Sequence, residues 1–70
     1  MGWKEEEEED RKIRIKHADW DFIEKQPPRI RAALKILVEK GDMYVAAKVA
    51  DVKLEQMNKL RKKANIYIVV

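Results

Sequence analysis

The chain of 70 residues contains no cysteine, serine or threonine. These absences exclude disulfides, thiolate metal sites and the common hydroxyl or thiol nucleophiles. The single histidine, His17, cannot by itself supply a histidine-based metal site or a Ser–His relay. We therefore expect one small domain that is not an enzyme and that needs no cofactor and no metal.

Charge divides the chain into two unlike parts. Residues 1–25 hold six Lys/Arg and nine Asp/Glu, a net charge of −3, whereas residues 26–70 hold ten Lys/Arg and four Asp/Glu, a net charge of +6. The positive part indicates a phosphate backbone as partner. Lys and Glu enrichment without cysteine is typical of thermophilic proteins. No apolar run approaches the ~20 residues of a membrane span, and no signal peptide is visible, so an intracellular, cytoplasmic protein is expected.

Two short segments precede the first predicted helix. Residues 1–10 are mostly acidic, and such like-charged runs usually stay disordered. Residues 12–16 alternate between basic and apolar side chains, with Ile13 and Ile15 on one face, which predicts a short strand. The expected organisation is thus a disordered acidic tail, 1–10, and a single domain, 11–70.

Four helices are predicted downstream. The first runs from Trp20 to about Lys25 behind an Asp19 N-cap, with Trp20 and Ile23 in the core. The second, residues 28–40, has apolar positions at i, i+3, i+4, i+7 and i+8 and ends at a glycine. The third and fourth span about residues 43–50 and 53–64, with Asp42 as the N-cap of the third.

The last residues of the chain form the second predicted strand. Residues 66–70 are β-branched or aromatic and show no helical period. Both faces of such a strand are apolar, so it needs a partner: residues 12–16, a second copy in a homodimer, or a partner protein. The predicted fold is therefore mainly α: a small helical domain with short strands at about 12–16 and 66–70.

The third and fourth predicted helices have the spacing of a helix-turn-helix over residues 43–63. The motif needs a small residue where the second helix crosses the first, which Ala47 provides. Ala50 and Val52 hold the turn, and Met57 and Leu60 face inward. The turn has Asp51 where glycine is usual, and aspartate tolerates positive φ better than most residues.

The outward face of the predicted helix 53–64 carries the candidate DNA-binding residues Gln56, Lys59, Lys62 and Lys63. Lysine contacts phosphate as a point charge, and glutamine can bind adenine through both atoms of its amide. Leu54 is expected to face inward, and Arg61 to lie along the edge of the apolar stripe. An ordinary solvated helix face is the alternative interpretation.

Residues 31–69 resemble small prokaryotic, in particular archaeal, antitoxin-like helix-turn-helix proteins. The resemblance is carried by the following motifs: Ala33-Leu34, Gly41, Ala46-Ala47, Ala50-Asp51-Val52, Leu54-Glu55 and Ile66-Tyr67-Ile68. It implies a transcription regulator that binds double-stranded DNA and, in some members, neutralises a toxin protein. The alternative, from a different class, is a protein–protein interaction module that docks a partner through the C-terminal strand without binding nucleic acid.

Overall fold

The computed structural model describes the backbone of residues 3–68 and the side chains of residues 8–68. This range forms a small all-α domain without strands, with helices α1 (Trp3–His17), α2 (Trp20–Glu24), α3 (Pro28–Lys40), α4 (Met43–Ala50) and α5 (Leu54–Lys63). The mainly α class is confirmed. The four predicted helices are also confirmed, with bounds that agree to within one residue.

The core is centred on α3, which packs against each of the other four helices. Its predicted apolar stripe is confirmed: Ala33, Leu34, Leu37 and Val38 are buried, and Ile30 is half-buried. Burying one leucine side chain stabilises a fold by roughly 1.5–3 kcal/mol. α3 supplies four of the twelve buried apolar residues of the described core, more than any other helix.

The helix ends follow the local chemistry of the sequence. The Asp19 carboxylate accepts from the Phe22 N–H at 3.1 Å, and the Asp42 carboxylate accepts from the Tyr44 and Val45 N–H groups at 3.0 and 3.2 Å. Gly41 ends α3 with φ 67° and ψ 22°, the left-handed conformation that glycine adopts at no steric cost. The predicted caps and the glycine stop are thus confirmed.

A buried arginine joins α1 to α3. Arg14 is only 8% exposed, and its Nε donates to the Val38 carbonyl at 2.7 Å. A second guanidinium nitrogen donates to the Glu39 carbonyl at 3.4 Å, and Arg11 forms an ion pair with the Glu39 carboxylate at 2.9 Å. The last carbonyls of α3 have no intrahelical donor, so a cation placed there binds them and the negative end of the helix dipole.

The predicted strand at 12–16 is wrong, because these residues lie in α1. The alternation that suggested a strand puts Ile13 and Ile15 on the buried face, whereas the residue buried in the structure is Arg14 between them. Acidic residues fill the first half of α1 and basic residues the last turn, an order that the helix dipole favours. Glu, Lys and Arg are also strong helix formers, and a lone short strand has no partner. Residues 3–10, predicted as a disordered tail, form the first half of this helix.

The predicted strand at 66–70 is wrong for residues 66–68, which lie in an irregular segment after α5; residues 69 and 70 lie outside the described range. Asn65 has φ 56°, which breaks an extended path, and Ile66 is buried against the helices. With residues 12–16 helical, no partner strand exists in the described part of the chain. The apolar character of Ile66 serves helix packing instead.

Two predicted core positions also differ. Trp20 is 38% exposed, because its indole Nε1 donates to the Ile15 carbonyl at 2.9 Å and the ring lies over the end of α1. Leu54 is 37% exposed, because it begins α5 at the turn, before the helix reaches the core. Ile23, in contrast, is fully buried as predicted.

Replacing Arg14 should destabilise the fold. Arg14→Met keeps most of the buried volume but removes both hydrogen bonds to the end of α3. Bonds from a charged group contribute about 1.5–3 kcal/mol, so we expect a loss of about 2 kcal/mol in the free energy of unfolding, measured by urea denaturation. Lys12→Met, at an exposed position of the same helix, should change it by less than about 0.5 kcal/mol. Equal stability of the two variants would contradict this role of Arg14.

Candidate nucleic-acid interface

The segment between α4 and α5 is a tight turn held by backbone hydrogen bonds. Asp51 ends α4 in the left-handed conformation, with φ 58° and ψ 46°. Its N–H donates to the Lys48 carbonyl at 3.2 Å, and the Val52 N–H donates to the Ala47 carbonyl at 3.1 Å. This pair of bonds is that of a Schellman motif, in which the residue after the helix is usually glycine. Asp51 therefore adopts the backbone conformation that the missing glycine would have provided.

Small side chains on α4 let its neighbours approach closely. Ala46, Ala47 and Ala50 are all buried, and α4 packs against both α3 and α5. Met57 of α5 is fully buried and Leu60 is half-buried against the same core. The inward-facing positions predicted for residues 47, 50, 57 and 60 thus lie where the sequence placed them.

The C-terminal end of α5 is fastened to the junction of α1 and α2. The Ile66 N–H donates to the Arg61 carbonyl at 2.9 Å, and the Asn65 N–H donates to the Lys62 carbonyl at 3.1 Å, which forms a second Schellman motif. The Asn65 side-chain amide donates to the His17 carbonyl at 2.8 Å. The Asp19 N–H donates to the carbonyl of Ala64 at 2.7 Å. Both ends of α5 are therefore fixed relative to the core.

The outer face of α5 is cationic. Lys59, Lys62 and Lys63 are exposed, and within the described side chains none of them lies within 4 Å of a carboxylate oxygen. Lys62 and Lys63 lie in the last turn, where the negative end of the helix dipole favours positive charge. Glu55, at the other end of the helix, is the single acidic residue of α5. The structure thus brings the three predicted lysines together on one accessible surface, which we call the lysine face.

Gln56 is exposed but already engaged. Its Oε1 accepts from the backbone N–H of Lys53 at 3.2 Å, which caps the first turn of α5. Bidentate binding of adenine needs both the oxygen and the nitrogen of the amide. The predicted base contact of Gln56 would therefore require this capping bond to break, whereas a contact through Nε2 alone would not.

Arg61 is held along the edge of α5. Its Nε donates to the Asn58 Oδ1 at 2.7 Å, and a terminal nitrogen donates to the Ile66 carbonyl at 3.4 Å. Arg61 is half-buried, as expected for the edge of the apolar stripe. Its side-chain partner is the amide of Asn58, so the guanidinium is already engaged within the domain.

A cleft beside the lysine face was missed by the sequence interpretation. It separates the C-terminal half of α1 from the end of α5 and has a volume of about 460 Å³, with the following lining residues: Ile13, His17, Arg61, Lys62, Asn65, Ile66 and Tyr67. The sequence signal that could have revealed it is Asn65, because asparagine after a basic last turn is a common left-handed helix stop. That stop turns the chain back toward α1.

Over the described residues, no group of three or more His, Asp or Glu side chains is placed to hold a metal ion. No helix within the same range is long and apolar enough to cross a bilayer.

Comparisons of the chain with protein-family models, with curated proteins and with solved structures give no match.

The backbone conformation of Asp51 can be tested by substitution. A β-branched residue at positive φ is strained, so Asp51→Val should lower the free energy of unfolding by about 1–2 kcal/mol. Asp51→Gly should keep it within about 0.5 kcal/mol, because relief of strain offsets the larger backbone entropy of glycine in the unfolded chain. Both variants lose the exposed ion pair with Arg29 (3.6 Å). Chemical denaturation would measure the difference, and an equal loss in both would indicate that the ion pair, not φ, controls stability.

Proposed function

We propose that the chain is a small DNA-binding transcription regulator in which α4, the turn and α5 form a helix-turn-helix. The observation that carries the proposal is the lysine face on a helix fixed at both ends. The Schellman turn at Asp51 supports it, because a tight, well-defined turn is what sets one helix of the motif against the other. The positive charge of residues 26–70 supports a polyanionic partner.

In the proposed complex, α5 is the recognition helix and lies in the major groove. The N-terminal residues of such a helix reach base edges, while the preceding helix crosses the phosphate backbone. For α5 these N-terminal residues are Leu54, Glu55 and Gln56. An exposed leucine can contact a thymine methyl group, and a glutamate can accept a hydrogen bond from cytosine N4. Gln56 contributes through Nε2, with Oε1 retained as the cap.

Lys59, Lys62 and Lys63 contact phosphates in this proposal. They position the protein on the duplex, and the sequence preference comes from the first turn of α5. Each phosphate contact releases condensed counterions, so affinity should fall steeply as salt rises. The absence of carboxylate partners near the three lysines, among the described side chains, means that no internal ion pair has to break first.

The antitoxin-like class remains part of the proposal, and its support is the resemblance of residues 31–69. A toxin protein would then be a second partner. The exposed Tyr67 (55%) beside the buried Ile66 is a surface that a protein partner could cover. The competing function is a protein-interaction module without nucleic-acid binding, and a DNA titration separates the two.

The test removes the lysine face. The triple variant Lys59→Ala, Lys62→Ala, Lys63→Ala should weaken binding to a duplex and reduce the slope of log K against log salt by about 2–3, because each lost phosphate contact removes about 0.9 from the slope. Fluorescence anisotropy with a labelled duplex at several salt concentrations would measure both quantities.

The matched control removes the same charge elsewhere. Lys12→Ala, Lys25→Ala and Lys40→Ala are exposed positions on three other elements, so the control has the same net charge as the triple variant. It should keep most of the affinity and of the salt slope. Circular dichroism should show that both variants are folded. Equal weakening by both triples would mean that net charge alone drives binding, and no binding by the unmodified chain at low salt would favour the protein-interaction function.

A further inference from the structure

The cleft between α1 and α5 combines apolar and cationic groups on its walls. Ile13 (42% exposed) and Tyr67 (55% exposed) leave apolar surface in contact with water. Arg61 and Lys62 line the same cleft, and Lys16 lies on α1 one residue before the lining residue His17. Such a surface matches a segment that is acidic and that covers the apolar side chains.

The chain itself contains one strongly acidic segment. Residues 5–10 are six consecutive acidic residues, and they form part of the N-terminal half of α1. The described side chains of Glu8 and Glu9 are exposed. Charge complementarity therefore pairs the acidic half of α1 with the cleft beside its basic half.

Within one molecule, none of the described acidic side chains of α1 lines the cleft. Residue 17, at the end of α1, borders the cleft and is bonded through its carbonyl to Asn65. Glu8 and Glu9 precede it by nine and eight residues, which is about 12–14 Å along the axis of a helix. Arg11 and Arg14 fasten α1 to the end of α3 between these points, so α1 cannot fold back.

We propose that the cleft binds the acidic half of α1 from a second copy of this chain. Two copies related by a two-fold axis place their α1 helices antiparallel, so that each acidic half lies against the cleft and the basic half of the other α1. The arrangement is closed and self-complementary, as a two-fold contact must be. It covers Ile13 and Tyr67 in both copies and brings Lys16 and Lys62 close to carboxylates. Lys62 would then have to exchange a carboxylate for a phosphate when DNA binds, whereas Lys59 and Lys63 do not line the cleft.

The contact has a defined dependence on salt. Exposed charges more than a Debye length apart are screened, and that length is about 10 Å at ~0.1 M salt and about 3 Å at 1 M. Self-association should thus be strongest at low ionic strength. A dimer held by pairing of apolar segments would instead be insensitive to salt.

Sedimentation equilibrium of the full chain, without nucleic acid, tests the proposal. At about 100 μM protein and ~50 mM salt we expect dimers, and at ~500 mM salt we expect the dissociation constant to rise at least tenfold. The variant Glu8→Lys, Glu9→Lys should be monomeric under the low-salt condition, and so should Lys16→Glu, Lys62→Glu. A one-to-one mixture of the two variants should form heterodimers, because the reversed charges then face each other at one of the two contacts and the unmodified charges at the other, so both contacts pair opposite charges.

Lys48→Glu, an exposed substitution on α4, is the control and should dimerise like the unmodified chain. Circular dichroism would establish that each variant retains its helices. Three results would each overturn the proposal. The unmodified chain is monomeric at low salt, each charge-reversed variant dimerises by itself, or the mixture of the two variants does not associate. DNA is absent from the experiment, so its result is independent of the proposed function.

Discussion

The C-terminal turn of α3 is the point on which the arrangement of the other helices depends. Arg14 reaches this turn from α1 and donates to the carbonyls of Val38 and Glu39. Gly41 follows directly and turns the chain into α4. A Cβ atom at Gly41 would lie 3.0 Å from a terminal nitrogen of Arg14, so a side chain there would crowd the guanidinium in addition to being strained by the positive φ. One guanidinium and one glycine thus fix the direction of α1 and the start of the α4–α5 unit together.

A second set of hydrogen bonds attaches the C-terminal end of α5 to the junction of α1 and α2. Asn65 turns the chain in the left-handed conformation and bonds to the His17 carbonyl, and the Ala64 carbonyl accepts from the N–H of Asp19. α1 therefore connects the C-terminal ends of α3 and α5. The turn at Asp51 fixes the other end of α5, so the backbone that carries the three lysines is held in place at both ends. Preorganisation of this kind lowers the ordering cost of binding.

The helices from α2 to α5 could be predicted because their signals are local: an aspartate cap, a proline at the first turn, a glycine stop and an apolar stripe of period 3.6 each act within one element. The helical conformation and the buried residue of α1 could not be predicted, because they depend on the end of α3, which is distant in sequence. Arg14 is buried only because α3 ends beside it, and nothing in residues 11–17 indicates that. The strand prediction for Ile66 is wrong for the same reason, since the role of Ile66 in capping α5 depends on the conformation of Asn65.

Of the candidate site, the lysine face could be predicted from helix periodicity alone. The cleft could not, because it is formed by the packing of two helices that are distant in sequence.

Charge in this domain serves local stability as well as the proposed recognition of DNA. The acidic residues of α1 lie at its N-terminal half and the lysines of α5 at its C-terminal end, so each run lies at the end of its own helix dipole that favours it. Each favourable placement contributes about 0.3–1 kcal/mol at an exposed position. The same placement separates opposite charges along a rigid α1 rather than letting them neutralise each other within one molecule. The small net charge of +3 therefore hides two strongly charged surfaces, the acidic half of α1 and the lysine face of α5. Each remains available to a partner of the opposite charge.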